Sequence, residues 1–359
     1  MLRRRGTWMN VSMLLGCLLL ASACEKQPDD DKIVGNAKPG GAAATLGPKS
    51  ADALRIAVVP KGTTHEFWKS VHAGAVKAQR ELNGVEITFR GPDREDDREQ
   101  QIALLQNLQS GGYDAIVLAP LDQQALVAPV KQVTAAGIPV VIIDSGLQAE
   151  AGKDFVSFVA TDNHRGGELA GESIAKSLNG QGKVLLLRYM EGSESTMQRE
   201  QGCIDALKKS PGITIIDRGR YAGATRATAQ EAAENLLTSS DASGINAVFC
   251  PNESSTYGML LALRSKGLVG GPGKVTFVGF DSSPDLVSAL QSGDISALVV
   301  QNPLRMGYLG VKTAVEHIRG STVEKRIDTG VALVTKDNMQ QPEIAEALNP
   351  PLAEYLGGN

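Results

Sequence analysis

The chain has 359 residues, which is enough for about two domains at roughly 150 residues each. Hydrophobic residues make up 42% and charged residues 21%, so neither a disordered chain nor a polytopic membrane protein is indicated. The formal net charge of −4 excludes a protein whose main task is to neutralise nucleic-acid phosphates. The 4 Cys and 4 His are scattered along the chain, so we predict no disulfide scaffold, no metal site and no cofactor.

The N-terminal residues have the pattern of an export signal. Three arginines precede an apolar run over residues 11–20, and small residues lead to Cys24. This run is too short for a membrane span, which takes about 20 residues. The small residues before Cys24 resemble a bacterial lipobox, so we predict a lipoprotein signal peptide at 1–23 and a lipid on Cys24. An ordinary cleaved signal with Cys24 left free is the alternative.

Residues 24–52 are rich in Asp, Lys, Gly, Pro and Ala and show no apolar period, which predicts a flexible tether. Such a tether would hold an exported, periplasmic or cell-surface body at a membrane through the lipid anchor only. Cys203 and Cys250 would then lie in an oxidising compartment. The sequence does not decide whether these two residues pair.

From residue 54 onward, short apolar strands alternate with helical segments. Continuous apolar strands separated by helices indicate parallel sheets covered on both faces. The charged run 93–99 is predicted as a solvated helix start with acids at its positive end. The predicted strands are 54–60, 85–89, 114–119, 139–144, 155–160, 183–188, 213–218, 247–250, 275–281 and 295–300, and the predicted helices include 100–110, 124–136, 197–209, 227–237 and 256–266.

The two halves of this pattern match at the ends of their strands. Asp144 and Asp281 follow corresponding strands, as do Ala119 and Cys250. A repeat at about 130–140 residues is too long for a solenoid and indicates two similar domains. Parallel sheets bind ligands beyond the carboxyl ends of their strands, so two facing sheets would present two polar rims to one cleft.

Several short segments of the body occur in a characteristic order and spacing. They are Glu66-Phe67-Trp68, Gly137-Ile138-Pro139-Val140, Ala160-Thr161-Asp162-Asn163 with Gly166-Gly167, Arg199-Glu200-Gln201-Gly202, Asn252, and Val278-Gly279-Phe280-Asp281. In this order and spacing, over residues 54–336, the chain resembles the periplasmic sugar-binding proteins of the ribose-binding type, the receptors of bacterial ABC sugar importers. The resemblance implies the type I periplasmic binding protein fold, an α/β fold of two Rossmann-like domains with parallel sheets joined by a three-strand hinge.

The resemblance also implies a division of the body. Residues 53–161 with 302–331 would form an N-terminal lobe, and residues 162–301 with 332–343 would form a C-terminal lobe. Residues 344–359 would be a C-terminal tail, for which the sequence suggests no function.

Carried over by position, the family's sugar contacts fall on both lobes. Ala119 departs from the family, which has Asn there, and the aromatic residue expected near Ala224 is missing, with Tyr221 close by. Carboxylates accept hydrogen bonds from adjacent hydroxyls, Arg and amide groups donate to sugar oxygens, and aromatic faces cover C–H groups. We therefore predict a pentose or hexose as ligand. The implied ligand-binding residues are Lys61, His65, Phe67, Trp68, Asp144, Ser145, Arg199, Tyr221, Asn252, Glu253, Asp281 and Gln301.

Several of these residues also have a simpler structural explanation. Phe67 lies on the apolar stripe of its helix, and His65 could cap the same helix. Asp144 and Asp281 could end strands or cap helices, although their matched placement in both halves favours the site.

Other functions remain open from the sequence. Lys61 and Pro251 resemble residues found in receptors for a furanose-like quorum signal. A receptor that serves chemotaxis or a sensor kinase would show the same sequence pattern. An enzyme is disfavoured because no nucleophile–base pair and no phosphate loop is visible. A sugar-responsive repressor of this fold would need a helix-turn-helix where the export signal stands. We expect a monomeric, non-catalytic receptor that delivers a sugar to a membrane ABC permease and binds no nucleic acid.

Overall fold

The computed structural model describes residues 53–357. The predicted signal peptide, the lipid on Cys24 and the tether lie outside the described residues. Within the described range, no helix combines the length and the apolar character that a membrane span requires.

The described residues form twelve strands and eleven α-helices that alternate along most of the chain. The strands are β1 Leu54–Val59, β2 Val85–Phe89, β3 Ala115–Leu118, β4 Val140–Ile143, β5 Ser157–Ala160, β6 Gln181–Arg188, β7 Gly212–Tyr221, β8 Ala247–Phe249, β9 Thr276–Phe280, β10 Ala297–Gln301, β11 Arg326–Asp328 and β12 Val331–Val334. The helices are α1 Glu66–Glu81, α2 Arg98–Ser110, α3 Val127–Ala135, α4 Asn163–Ser177, α5 Glu194–Lys208, α6 Arg226–Thr238, α7 Glu253–Ser265, α8 Pro284–Ser292, α9 Pro303–Ile318, α10 Pro342–Leu348 and α11 Leu352–Leu356.

The strands form two six-stranded sheets with the same internal order. One sheet runs β11-β5-β4-β3-β1-β2 and is parallel throughout, and the other runs β12-β10-β9-β8-β6-β7 with only β12 antiparallel. Apolar side chains cover both faces of each sheet. We call the first sheet with α1, α2, α3 and α9 the N-lobe, and the second sheet with α4 to α8 the C-lobe.

The chain passes between the two sheets three times, after β5, after β10 and after β11. These crossings bring the carboxyl ends of both sets of parallel strands toward one region. The repeat expected from the sequence is therefore visible as two sheets of equivalent order. The α/β fold class predicted from the sequence is confirmed.

Two glycines, one on α4 and one on α5, set how closely these helices pack. A Cβ atom on Gly167 would clash with the backbone carbonyl oxygen of Arg199, and one on Gly202 would clash with that of His164. Because neither residue has a Cβ atom, the two helix backbones come into direct contact. This contact sets the position of the first turns of α5, from which Arg199 projects.

The C-terminal residues contact both lobes, which their sequence pattern did not predict. Ile344 and Leu348 of α10 are buried in the core of the C-lobe. The short helix α11 lies against α1 of the N-lobe, where the Arg80 guanidinium donates hydrogen bonds to the carbonyl oxygens of Glu354 and Tyr355 at 2.9 and 3.1 Å. The segment is thus a fourth link between the lobes.

The start of helix α3 and the end of strand β7 differ from the predicted positions, each for a local reason. The predicted helix at 124–136 begins only at Val127, because the Asp122 carboxylate accepts hydrogen bonds from the N–H groups of Gln124 and Ala125 in a preceding turn. Strand β7 extends to Tyr221 rather than to residue 218, because Tyr221 pairs with Arg188 of β6 beyond a register shift.

Candidate ligand-binding site

A small polar cavity of about 30 Å³ lies between the lobes, beyond the carboxyl ends of the parallel strands. The lining residues follow strands of both sheets or begin the next helix. They are Lys61, His65, Phe67, Trp68, Glu95, Asp144, Tyr189, Ser195, Thr196, Arg199, Asn252, Glu253, Asp281 and Gln301.

The cavity brings together all but two of the residues that the sequence singled out. Ser145 is fully buried and does not line the cavity, and its hydroxyl oxygen accepts a hydrogen bond from the backbone N–H of Ser195 at 3.1 Å. The structure contradicts the prediction that Tyr221 belongs to the ligand site. Tyr221 ends the edge strand β7 with its side chain 45% exposed and lines a different surface groove, so it does not replace the missing aromatic residue near Ala224.

Four lining residues were not predicted. Tyr189 directly follows β6, so the strand-end rule that selected Asp144 could have found it. Ser195 and Thr196 lie one turn before Arg199 on α5. Glu95 belongs to the charged run that was interpreted as solvated, and that interpretation was wrong for this residue because Glu95 is only 6% exposed. The other part of that prediction is right, since Asp97 caps α2 and Glu99 lies in its first turn.

The two acids at matching strand ends share an unusual backbone conformation. Asp144 has φ of 62° and Asp281 has φ of 69°, and Asn179 is the only other non-glycine residue with positive φ among residues 53–357. Such a conformation costs free energy and persists where the surrounding structure enforces it, often at functional sites. It turns each carboxylate toward the cavity region from its own lobe.

Asp144 is held by cations. One of its carboxylate oxygens lies 2.8 Å from the Lys61 ammonium, and the other lies 4.0 Å from the Arg199 guanidinium. The Lys61 ammonium also donates to the Ser195 hydroxyl of the C-lobe at 3.0 Å. These side chains are almost completely buried, so each charge is stabilised by its partner rather than by water.

Arg199 is fixed on several sides. Its Nε donates to the Asn163 side-chain oxygen at 2.9 Å, and its Nη1 donates to the Pro251 carbonyl oxygen at 3.0 Å. Its guanidinium carbon lies 4.1 Å from the centre of the Phe280 ring, a cation–π arrangement. A guanidinium held in one orientation can donate to a ligand without a further loss of conformational entropy.

Asp281 is held by neutral donors. The Gln301 side-chain amide donates to Oδ1 at 2.6 Å, and the backbone N–H of Glu253 donates to Oδ2 at 3.0 Å. Burial raises the pKa of Asp281 to about 6, against the opposing effects of Arg199 and Gln301. The Oε1 atom of Gln301 is buried and accepts no hydrogen bond.

Glu253 begins α7 and connects the two lobes. Its Oε2 accepts a hydrogen bond from the backbone N–H of Phe67 in the N-lobe at 3.3 Å, and its Oε1 lies 2.8 Å from the Arg226 guanidinium. Asn252 caps the same helix, because its side-chain oxygen accepts from the N–H of Ser255 at 3.2 Å. The strand-to-helix turn after β8 is thereby fixed at the cavity wall.

A second ionic group, centred on Glu95, also lines the cavity. The Glu95 carboxylate accepts hydrogen bonds from the Trp68 indole N–H and from the Tyr189 hydroxyl, both at 2.7 Å, and contacts the His65 ring nitrogen at 2.5 Å. Burial lowers the pKa of His65, but the charge and hydrogen bond of Glu95 outweigh burial and raise this pKa to about 9. Burial likewise raises the pKa of Glu95, but His65, Lys61 and Trp68 together outweigh burial and lower this pKa to about 2. The pair is therefore ionised at neutral pH.

Two aromatic rings complete the wall. The rings of Phe67 and Trp68 meet edge to face, with centroids 4.8 Å apart, and both side chains also pack into the N-lobe core. Phe67 therefore packs in the N-lobe core and also lines the cavity. Among residues 53–357, no group of three or more His, Cys, Asp or Glu side chains is arranged to hold a metal ion.

Comparison with known proteins identifies the family of the chain. A family model described as a periplasmic binding protein domain matches residues 56–322. The D-ribose/D-allose-binding protein of Pseudomonas aeruginosa is 30% identical over 289 residues, covering 78% of this chain and 88% of that protein. The ribose import binding protein of Escherichia coli is 30% identical over 281 residues, covering 78% and 90%.

Solved structures show the same likeness. A solute binding protein of an ABC transporter from Agrobacterium vitis, with bound D-fucose, is 36% identical with a TM-score of 0.78, covering 82% of this chain and 99% of that one. A carbohydrate transporter solute binding protein from Agrobacterium radiobacter, in complex with D-arabinose, is 36% identical with a TM-score of 0.78, covering 84% and 100%. The chain therefore belongs to the periplasmic binding protein family, as a ribose-type sugar-binding member. The family predicted from the sequence is confirmed.

Proposed function

We propose that this protein is a non-catalytic receptor that binds a neutral pentose or hexose between its lobes and delivers it to an ABC sugar permease. The receptor would work in the periplasm or at the cell surface, held at a membrane through a lipid on Cys24. The relatives named as ribose or allose receptors, and the solved relatives holding D-fucose or D-arabinose, support this class of ligand.

The observation that carries the proposal is the unsatisfied oxygen of Gln301. A buried polar atom without a partner costs about 1–3 kcal/mol. The orientation of this amide follows from its neighbour, because the N–H group donates to Asp281 and leaves the oxygen without a donor. A sugar hydroxyl in the cavity would donate to this oxygen and remove the cost.

The charges of the site favour an uncharged ligand. Each cavity carboxylate already has a charged or amide partner, as the contacts of Asp144, Glu95, Glu253 and Asp281 show. A ligand carrying a net charge would enter a buried site without an unpaired counter-charge. Hydroxyl groups, by contrast, can add donors and acceptors to these carboxylates, to Arg199 and to the Gln301 oxygen.

The contacts between lobes support closure as the signal to the permease. Lys61 and Phe67 of the N-lobe bond to Ser195 and Glu253 of the C-lobe at the cavity itself. A sugar that bonds to both lobes stabilises this arrangement relative to separated lobes, and that difference in affinity shifts the population toward the closed form.

A thermal-shift and calorimetry panel tests the proposal. The mature protein is titrated with pentoses and hexoses, with a uronic acid and an amino sugar of the same ring size as controls. We expect at least one neutral sugar to raise Tm and to bind with a micromolar Kd, about −8 kcal/mol. A panel in which no sugar shifts Tm would contradict the proposal, and a response confined to furanose-like compounds would favour the quorum-signal alternative.

A further inference from the structure

Glu95 is placed to act through other residues rather than on the ligand alone. It lies in the loop between β2 and α2 of the N-lobe and is 6% exposed. The loop after β1 comes very close to it, because a Cβ atom on Gly62 would lie only 2.8 Å from Glu95 Cγ. A carboxylate this deeply buried must be compensated by its surroundings, since desolvation alone costs several kcal/mol.

Three side chains with different tasks make direct contacts to the Glu95 carboxylate. Trp68 and His65 meet Oε1, and the Tyr189 hydroxyl donates to Oε2. Trp68 and His65 both line the cavity from the N-lobe, so Glu95 determines where an aromatic face and a cationic ring stand beside the ligand. The indole of Trp68 has a single N–H donor, so its hydrogen bond to Glu95 fixes the orientation of the ring.

The contact with Tyr189 joins the two lobes. Tyr189 follows β6 of the C-lobe and is 2% exposed. Its own backbone N–H donates to Glu200 on α5 at 3.0 Å, which anchors it to the C-lobe. The bond from its hydroxyl to Glu95 therefore exists only when the lobes meet around the cavity.

We infer that Glu95 is a positioning residue of the sugar site, which orients Trp68 and His65 and, through Tyr189, latches the lobes over a bound sugar. This inference rests on the proposed function. A hydrogen bond to a charged group is worth more than a neutral one, so breaking the latch should speed the opening of the closed form. Encounter with the sugar occurs before the latch forms, so the association rate should change little.

Stopped-flow fluorescence with the tightest-binding neutral sugar of the panel tests this inference. The chain has 2 Trp, Trp8 in the predicted signal peptide and Trp68, so the mature protein carries Trp68 as the single reporter. Tyr189→Phe removes one hydroxyl and keeps the ring, and we expect dissociation about tenfold faster with association within about twofold of wild type. Tyr113→Phe, at a half-buried tyrosine outside the cavity lining, is the matched control and should change neither rate.

Glu95→Gln tests the positioning part of the inference. It should shift the emission of Trp68 in the sugar-free protein, which Tyr189→Phe should leave unchanged. Adding Tyr189→Phe to Glu95→Gln should increase the dissociation rate less than Tyr189→Phe does in wild type, because both changes break one bond. Glu99→Gln, at an exposed position on α2, is its control. If Glu95→Gln does not fold, the Tyr189→Phe rates alone decide.

The outcomes separate the inference from the proposed function. Sugar binding by wild type with an unchanged dissociation rate in Tyr189→Phe would overturn the latch and leave the receptor proposal standing. A wild-type protein that binds no sugar of the panel would overturn both.

Discussion

The N-lobe and the C-lobe share one strand order, yet they hold equivalent acids by different means. Asp144 follows β4 and Asp281 follows β9, and both have positive φ near 60–70°. Asp144 lies against the Lys61 ammonium, whereas Asp281 receives an amide and a backbone N–H. Both lobes use the same backbone conformation with different electrostatic partners, and burial raises the pKa of Asp281 to about 6.

This difference predicts the largest effect on stability. Asp144→Asn would leave the buried Lys61 charge without its nearest counter-charge, and we expect the free energy of unfolding to fall by about 3 kcal/mol. Asp281→Asn removes a buried charge that has only neutral donors within hydrogen-bond distance, so its loss should be much smaller, about 1 kcal/mol or less. Urea unfolding of the two variants at pH 7 measures both values. Equal losses would show that the two acids are held in the same way after all.

A smaller effect concerns the pH dependence of binding. The pKa of Asp281 is about 6, so this carboxyl gains a proton as the pH falls from 7 to 5 and can then accept fewer hydrogen bonds from sugar hydroxyls. We expect sugar affinity to fall severalfold over this range. In Asp281→Asn the dependence should flatten, and calorimetry at both pH values checks it. A wild-type affinity that stays constant would contradict a direct role for Asp281 in binding.

The same pKa makes an opposite contribution to the stability of the sugar-free protein. A buried acid whose folded-state pKa lies above its ordinary value of 3.8 binds more protons in the folded state. The free energy of unfolding therefore falls as the pH rises from about 4 through 6 for this group. Binding and stability should thus respond to Asp281 with opposite signs, which separates its effect from general acid denaturation.

Strand ends were the part of the site that the sequence could predict. Asp144, Asp281 and Gln301 each follow or end an apolar strand, and parallel topology alone brings such positions to one rim. Glu95 could not be found in this way. It lies in a loop within a charged run, and nothing local shows that Trp68 and His65 from one segment and Tyr189 from the other lobe converge on it.

The fold followed from the periodic alternation of apolar strands and helices, but the C-terminal segment did not. Ile344 and Leu348 are too few to show a helical period, and their burial depends on a groove in the C-lobe formed by distant residues. The prediction that Tyr221 belongs to the ligand site was wrong for a related reason. The position of this residue near Ala224 in sequence says nothing about the edge strand that carries it away from the cavity.

A crystal structure of the protein with its tightest-binding sugar would show whether the cavity between the lobes is the sugar site. We expect one sugar in the cavity, with hydroxyl groups within hydrogen-bond distance of both Asp144 and Asp281 and a hydroxyl donor on the Gln301 oxygen. A sugar bound elsewhere, or one that leaves the Gln301 oxygen and both carboxylates uncontacted, would contradict this expectation.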